Sequence, residues 1–434
     1  MSDDLEVTHG GAIAVDPHAL RAVADALTAL APRFVDAASA VRRAHGSLVA
    51  LPTASTSVDT VALWGSADRA EALHEECRMA GENTRLMADV YELVERRAEL
   101  DALEIQGKAA PGVLSDRIDE LVAADPRVLE MEKWLIAGWE NGRYEGLDQQ
   151  FDLVQLLGAP VGAPAGGGIF AAVAALGGAG LGRLAPNATL SGSAGPVSIT
   201  PVRTSAPIGP PSSIAEALRR FPESPGAQLK VEKYTMSDGS SRFVLYSRGT
   251  QPSSVIDPTE PFDMQSNLDL YTGQEAASYA ATVEALDAAG ARPGDELQIY
   301  AHSQGAMNAA YLASGSEFDV TVQVTAGSPL HPTLDDDQLL IALRHTDDLV
   351  NGLAGGGLPG GTGSPDSIVA TRVGDPAYSV HDLWLHPHMM ESYIETAEML
   401  DDSGDVRLEA WRAKAAELTD AVSIESTEYV AKRE

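Results

Sequence analysis

A chain of 434 residues exceeds one ordinary hydrophobic core, and 44% apolar against 21% charged residues excludes wholesale disorder. A net charge of −33 excludes a nucleic-acid partner, because phosphates would be repelled, and gives anionic lipid headgroups little to hold. The single cysteine, Cys77, excludes an intramolecular disulfide and a cysteine-built zinc site, and no cofactor motif is evident.

The chain opens with Met1-Ser2-Asp3-Asp4 and has no apolar segment behind it. A Sec signal peptide is therefore not expected, which leaves a cytoplasmic location or export by another route. Asp16 and Pro17 read as an N-cap followed by a first-turn proline. Leu20, Val23, Leu27 and Leu30 then recur at helical spacing, and Phe34, Val35, Ala38 and Val41 extend the stripe past Pro32. Pro32 is expected to kink or divide this helix. Gly46 to Val61 reads as a connector, and Leu73, Met79, Leu86, Val90, Leu93 and Leu100 mark a second long helix. Residues 1–110 are thus expected to form a helical hairpin. With Leu63-Trp64-Gly65 closing the connector and Tyr91-Glu-Leu-Val-Glu95 on the second helix, it resembles the Trp-x-Gly hairpins exported by type VII (ESX) systems. That resemblance implies a non-Sec export route and a helical partner at the hairpin.

Residues 111–195 are expected to be a helical, Ala/Gly-rich connecting region. Val113, Leu114, Ile118, Leu121, Val128 and Leu129 keep a helical pattern up to Trp134 and Trp139. No charge occurs from Leu153 to Gly182, a length that could span a bilayer. Pro160, Pro164 and Gly166 to Gly168 interrupt it, and Ala and Gly gain little on transfer. A buried helix is therefore preferred to a membrane span. Pro186 to Pro211 reads as a linker or an irregular covering segment.

Residues 196–405 change texture. Leu229 to Thr235, Asp238-Gly239 and Ser241 to Ser247 read as a hairpin. A helix over Ala276 to Ala289, a strand over Glu296 to Tyr300 and a helix over Asn308 to Ala313 follow. Further strands cover Val320 to Thr325 and Leu339 to Leu343. Such alternation predicts an α/β class with a mainly parallel sheet flanked by helices, an α/β-hydrolase fold. Residues 406–434 read as a C-terminal helix or tail.

The chemistry is expected where Glu296 to Tyr300 runs into Ala301-His302-Ser303-Gln304-Gly305. A strand-turn-helix elbow needs small residues two before and two after the nucleophile, here Ala301 and Gly305, with Ser303 between them. The acid should follow a later strand and the base come later still. Asp347 and Asp348 end the strand after 339, and Asp348 is preferred because Val350 follows in an Asp-x-Val turn. His388, at the mouth of a helix, is the preferred base, ahead of His386 and His381. His302 and His345 are expected to be structural. His386 and His388 lack the surrounding carboxylate-histidine set that a metal would need. An oxyanion site would take the amide of Gln304 and that of Thr250, on a loop where Gly249 permits close approach.

Together these segments resemble a family of actinobacterial α/β-hydrolases. The likeness spans about 215–400 and rests on Gly249-Thr-Gln251, Pro261-Phe-Asp-Met-Gln-Ser-Asn267, the elbow at 301–305, Thr325-Ala-Gly-Ser-Pro329, His345-Thr-Asp-Asp348 and His388-Met-Met-Glu-Ser-Tyr393. Ala301 and Ala306 replace glycines of the family elbow. Arg248 stands where the family has an apolar residue or proline, either to steer an anionic ester or to cap the loop. The resemblance implies Ser303, Asp348 and His388 as a triad. The expected function is an esterase or lipase-like serine hydrolase taking a small ester or lipid substrate. The alternatives are a type VII-exported effector carrying a hydrolase cargo, and an inactive hydrolase fold used for binding.

Overall fold

The computed structural model describes residues 5–8, 17–50, 59–105, 109, 111–142, 182–207, 209–251, 257–357, 362–376 and 386–434. Most of the uncharged stretch beginning at Leu153, and the candidate base His381, lie outside the described residues. Among the described residues, no helix is long and apolar enough to cross a membrane. The chain divides into two units, one of Val15–Arg96 with Gly112–Ile136, the other of Met1–Ala14, Arg97–Pro111 and Ala137–Glu434.

The first unit is helical. Helix α1 (Pro17–Val49) pairs with α2 (Thr60–Ile105) as an antiparallel hairpin, followed by α3 (Gly112–Ala124) and α4 (Arg127–Gly142). Arg21 near one end of α1 bonds Asp89 and Glu92, while Arg42 near the other bonds Asp68 and Glu71. Pro32 does not divide α1. The buried seam is also not the large-residue stripe expected from the sequence. It consists of Ala24, Ala31 and Ala38 at seven-residue spacing, whereas Val23, Leu30 and Val35 stay exposed. Small side chains let the two helices approach closely: a methyl on Gly81 of α2 would lie 2.9 Å from Thr28 Oγ1. Arg117 of α3 joins Glu92 at 2.7 Å. Burial opposes the Glu92 charge, but the two arginines outweigh it and hold the carboxyl down at about 2.

The second unit is built on a sheet. Its strands in chain order are β1 (Glu6–Thr8), β2 (Arg183–Leu184), β3 (Val197–Ser205), β4 (Leu229–Met236), β5 (Ser241–Ser247), β6 (Glu296–His302), β7 (Asp319–Ala326), β8 (His331–Pro332), β9 (Leu339–His345), β10 (Ile368–Arg372) and β11 (Ala421–Arg433). Nine of them form one mixed sheet in the order β1-β10-β9-β7-β6-β5-β4-β11-β3, and β2 pairs with β8. The run β5-β6-β7-β9-β10 is parallel, and the strands flanking it are antiparallel.

The parallel strands bury both faces, so they read as nearly continuous apolar runs, and all seven residues of β9 are buried. Phe243, Leu245, Leu297, Ile299 and Ala301 pack on one face against α7 (Ala277–Ala288) and α8 (Gln304–Gly315). Val244, Tyr246, Tyr300, Ile341 and Leu343 pack on the other against α5 (Ile214–Arg219), α10 (Met390–Asp402) and α11 (Leu408–Glu417). The remaining helices, α6 (Met264–Tyr271) and α9 (Leu349–Gly352), lie in the connections after β5 and β9.

Two expectations about the borders of this unit are corrected. The segment Pro186 to Pro211 is not merely a linker, because it contains β3, paired antiparallel with β11. Pro201 is tolerated there because β3 is an edge strand, with one side of its backbone outside the ladder. Nor is 406–434 a tail. It supplies α11 and then β11, which lies inside the sheet between β4 and β3. The sheet therefore runs well past residue 405, and β1 adds residues 6–8 beside β10.

Candidate active site

Strand β6 ends at His302, Ser303 turns the chain, and α8 begins at Gln304. Ser303 has φ +53° and ψ −118°, one of two non-glycine residues with positive φ among those described. A serine held there stores strain that the surroundings must overcome. They do so through close contacts. Ser303 N donates to Ala326 O on β7 at 2.9 Å. A methyl on Gly305 would meet Arg248 O at 2.6 Å and Ser247 Oγ at 2.7 Å, so only glycine lets the helix start against β5. Two residues before the serine, the methyl of Ala301 is accommodated and buried.

The expected acid and base converge on this serine. His388 Nε2 lies 2.8 Å from Ser303 Oγ, and His388 Nδ1 lies 2.7 Å from Asp348 Oδ2. Asp348 caps α9. Its Oδ1 accepts from Val350 N at 2.9 Å, and its Oδ2 also accepts from the Tyr393 hydroxyl at 2.7 Å. Burial opposes the Asp348 charge, but the neighbouring His388 and the hydrogen bonds from His388 and Tyr393 hold its carboxyl below the usual range. An ionised carboxylate only accepts, so Nδ1 carries the proton and Nε2 presents its lone pair to the serine hydroxyl.

The runner-up residues have other partners. Asp347 accepts from Gly374 N at 2.7 Å and Asp375 N at 2.9 Å, which anchors that loop, and burial raises its carboxyl pKa. His386 Nδ1 lies 3.1 Å from Asp375. The histidines expected to be structural hold the backbone that carries the base. His302 Nε2 is 2.8 Å from His388 O, and His345 Nδ1 is 2.5 Å from Pro387 O. Desolvation first, then the proximity of His388, lowers His302 to about 3; desolvation lowers His345 to about 4. Both rings are therefore neutral near pH 7, and Nε2 of His302 and Nδ1 of His345 donate to those carbonyls.

On the other side of the serine stands the loop after β5. A methyl on Gly249 would lie 2.7 Å from Ser303 Cβ, so glycine is what brings this loop against the elbow. The loop is fixed by Gln251 N donating to Phe262 O at 2.8 Å and Gln251 Nε2 to Gly249 O at 2.8 Å. Thr250 is thereby next to a residue in contact with the nucleophile. Gln304 opens α8, where first-turn N–H groups have no intrahelical acceptor. The guanidinium of Arg248 donates to Pro222 O, so it caps the loop.

Three contributors were not singled out from the sequence: Tyr393, Gly327 and Asn267. Tyr393 bonds Asp348 and stacks on His345 with centroids 3.9 Å apart. Gly327, at φ +60°, leaves room for the base, since a methyl there would be 3.0 Å from His388 Nδ1. Each lies in a segment of the resemblance to the hydrolases, which was the available signal. Among the described residues, no group of three or more His, Cys, Asp or Glu could hold a metal ion.

The arrangement can take a proton from a strained, partly exposed hydroxyl and hold the resulting imidazolium against a buried carboxylate. Comparison with models of known protein families gave no match, and comparisons with curated proteins and with solved structures likewise gave none.

Proposed function

We propose that the chain is a serine hydrolase acting on carboxylic esters, on an α/β-hydrolase fold. One observation carries this reading: His388 bridges Ser303 Oγ at 2.8 Å and Asp348 Oδ2 at 2.7 Å, with the serine on a strained strand-to-helix turn. The order nucleophile, acid, base along the chain supports it. So does placement of the three after β6, after β9 and just before α10. The sheet order runs without the strand interleaving of the usual hydrolase pattern, so the reading rests on the site more than on topology.

In the reaction, Ser303 Oγ attacks the acyl carbon while its proton passes to His388 Nε2. The tetrahedral oxyanion takes hydrogen bonds from the Gln304 and Thr250 amides. Collapse expels the alcohol, which receives the proton from His388, and leaves an acyl-serine. Water, deprotonated by the same nitrogen, then releases the acid. Labelling with a fluorophosphonate and turnover of a panel of p-nitrophenyl esters test the reading. Wild type is expected to label and turn over, and Ser303→Ala to do neither. An unlabelled wild type, or full turnover by Ser303→Ala, sinks the proposal.

A further inference from the structure

Asn267 sits on α6, and its side-chain amide joins two segments that meet at the elbow. Its Oδ1 accepts from Gln304 Nε2 at 2.8 Å, and its Nδ2 donates to Thr250 Oγ1 at 2.8 Å. These two partners are the residues assigned above to the oxyanion pair. One opens α8 and the other lies on the loop after β5, so their spacing depends on links between separate parts of the chain.

The bridge is itself anchored. Gln304 Nε2 also donates to Asp263 O at 2.6 Å. Asp263 caps α6 by accepting from Ser266 N at 2.9 Å. Its carboxylate takes two bonds from Arg433 of β11, at 2.7 and 2.9 Å. The helix that presents Asn267 is thus pinned at its start to a strand inside the sheet.

The geometry points to Asn267 as a positioning residue that sets the distance between the two oxyanion amides. This rests on the ester-hydrolase reading. Oxyanion donors stabilise developing charge because they need not reorganise at the moment of reaction. A misplacement of about 1 Å costs roughly 100-fold in rate. An asparagine amide suits the task, since it supplies one acceptor for Gln304 and one donor for Thr250 without adding charge. An aspartate would keep the shape but set a negative charge beside the place where the substrate oxygen becomes negative.

The test measures kcat and KM on a p-nitrophenyl ester for the full-length wild type, Asn267→Ala, Thr250→Val and the double variant. It also measures inhibition by an aryl boronic acid, whose tetrahedral adduct on serine places an oxygen between the amides. Asn267→Ala is expected to lower kcat on the order of 10- to 100-fold with KM little changed, and to weaken the boronic acid by a similar factor. The double variant should lose no more than the worse single one, because both remove the same link. Unchanged kcat, a loss confined to KM, or multiplying losses in the double variant overturns the assignment. If Asn267→Ala does not fold, Asn267→Asp serves: a kcat at the wild-type level overturns the proposal, and a loss at least as large supports it. Ser303→Ala separates the two levels. Ser303-dependent turnover that ignores residue 267 overturns only the positioning role, whereas turnover that persists without Ser303 overturns the hydrolase reading as well.

Discussion

Asp348→Asn is the sharpest perturbation of the relay. Three donors converge on the two carboxylate oxygens of Asp348: Val350 N, His388 Nδ1 and the Tyr393 hydroxyl. An asparagine keeps one oxygen, and the short Val350 bond is local, so that oxygen stays with the helix cap. The new NH2 then faces His388. A donor opposite Nδ1 selects the imidazole tautomer with the proton on Nε2, and that nitrogen can no longer take the serine proton. Tyr393 can rotate its hydroxyl to accept, so the fold is little disturbed. Loss of the correct tautomer costs about 10⁴ in kcat in comparable triads, equivalent to about 5.4 kcal/mol at 1.36 kcal/mol per decade. The assay is kcat on a p-nitrophenyl ester alongside the fluorophosphonate labelling rate, with thermal melting to verify folding. Asp347→Asn is the control, because Asp347 accepts only the Gly374 and Asp375 amides. It is expected to lose about tenfold or less in rate, together with some stability, as one backbone bond is forfeited. A loss below tenfold for a folded Asp348→Asn, or an equal loss in Asp347→Asn, refutes the assignment of the acid.

Gly305→Ala is expected to abolish labelling, since the added methyl meets Arg248 O at 2.6 Å; a labelled, soluble variant would show that the elbow yields. His345, buried and lowered to about 4, stays neutral in the fold while its unfolded counterpart, near 6.5, takes up a proton. A group with a depressed folded pKa of this kind contributes stability that falls as pH drops from about 6.5 towards 4. At pH 5 the loss is about 2 kcal/mol. Urea unfolding at pH 7 and pH 5 measures it, and equal stabilities would contradict the burial of a neutral ring. A fragment ending at residue 405 should fail to fold, because removal of β11 unpairs β4 from β3. A soluble fragment with a cooperative melt would count against the observed sheet order.

The catalytic elements were legible because their chemistry is local. The elbow announces itself in five residues, and an apolar strand running into acids is visible as such. The choice of Asp348 over Asp347 also agrees with the geometry, since Val350 N bonds the carboxylate that faces His388. What stayed hidden depended on long-range pairing. β3 carries Ser, Thr and Pro because most of its side chains are exposed at an edge, so its composition resembles a linker. β11 alternates with β-branched residues, but the helix before it invited the reading of a tail. In α1 the sequence displays Val23 and Leu30, while close helix packing selects Ala24 and Ala31. Size, rather than hydropathy, decides which stripe turns inward.

The position of β11 also sets a timetable for assembly. Thr204 and Thr427 are neighbours across the ladder although 223 positions separate them along the chain. During synthesis, the segment that becomes β3 emerges long before the partner that separates it from β4. Closure of so long a loop favours slow folding, and until it happens β3 has no place in the sheet. Arg433 then brings Asp263, and with it the start of α6, into register. The unit would acquire its reactive centre last, after the sheet is complete, which keeps an unfinished chain from acting on its surroundings.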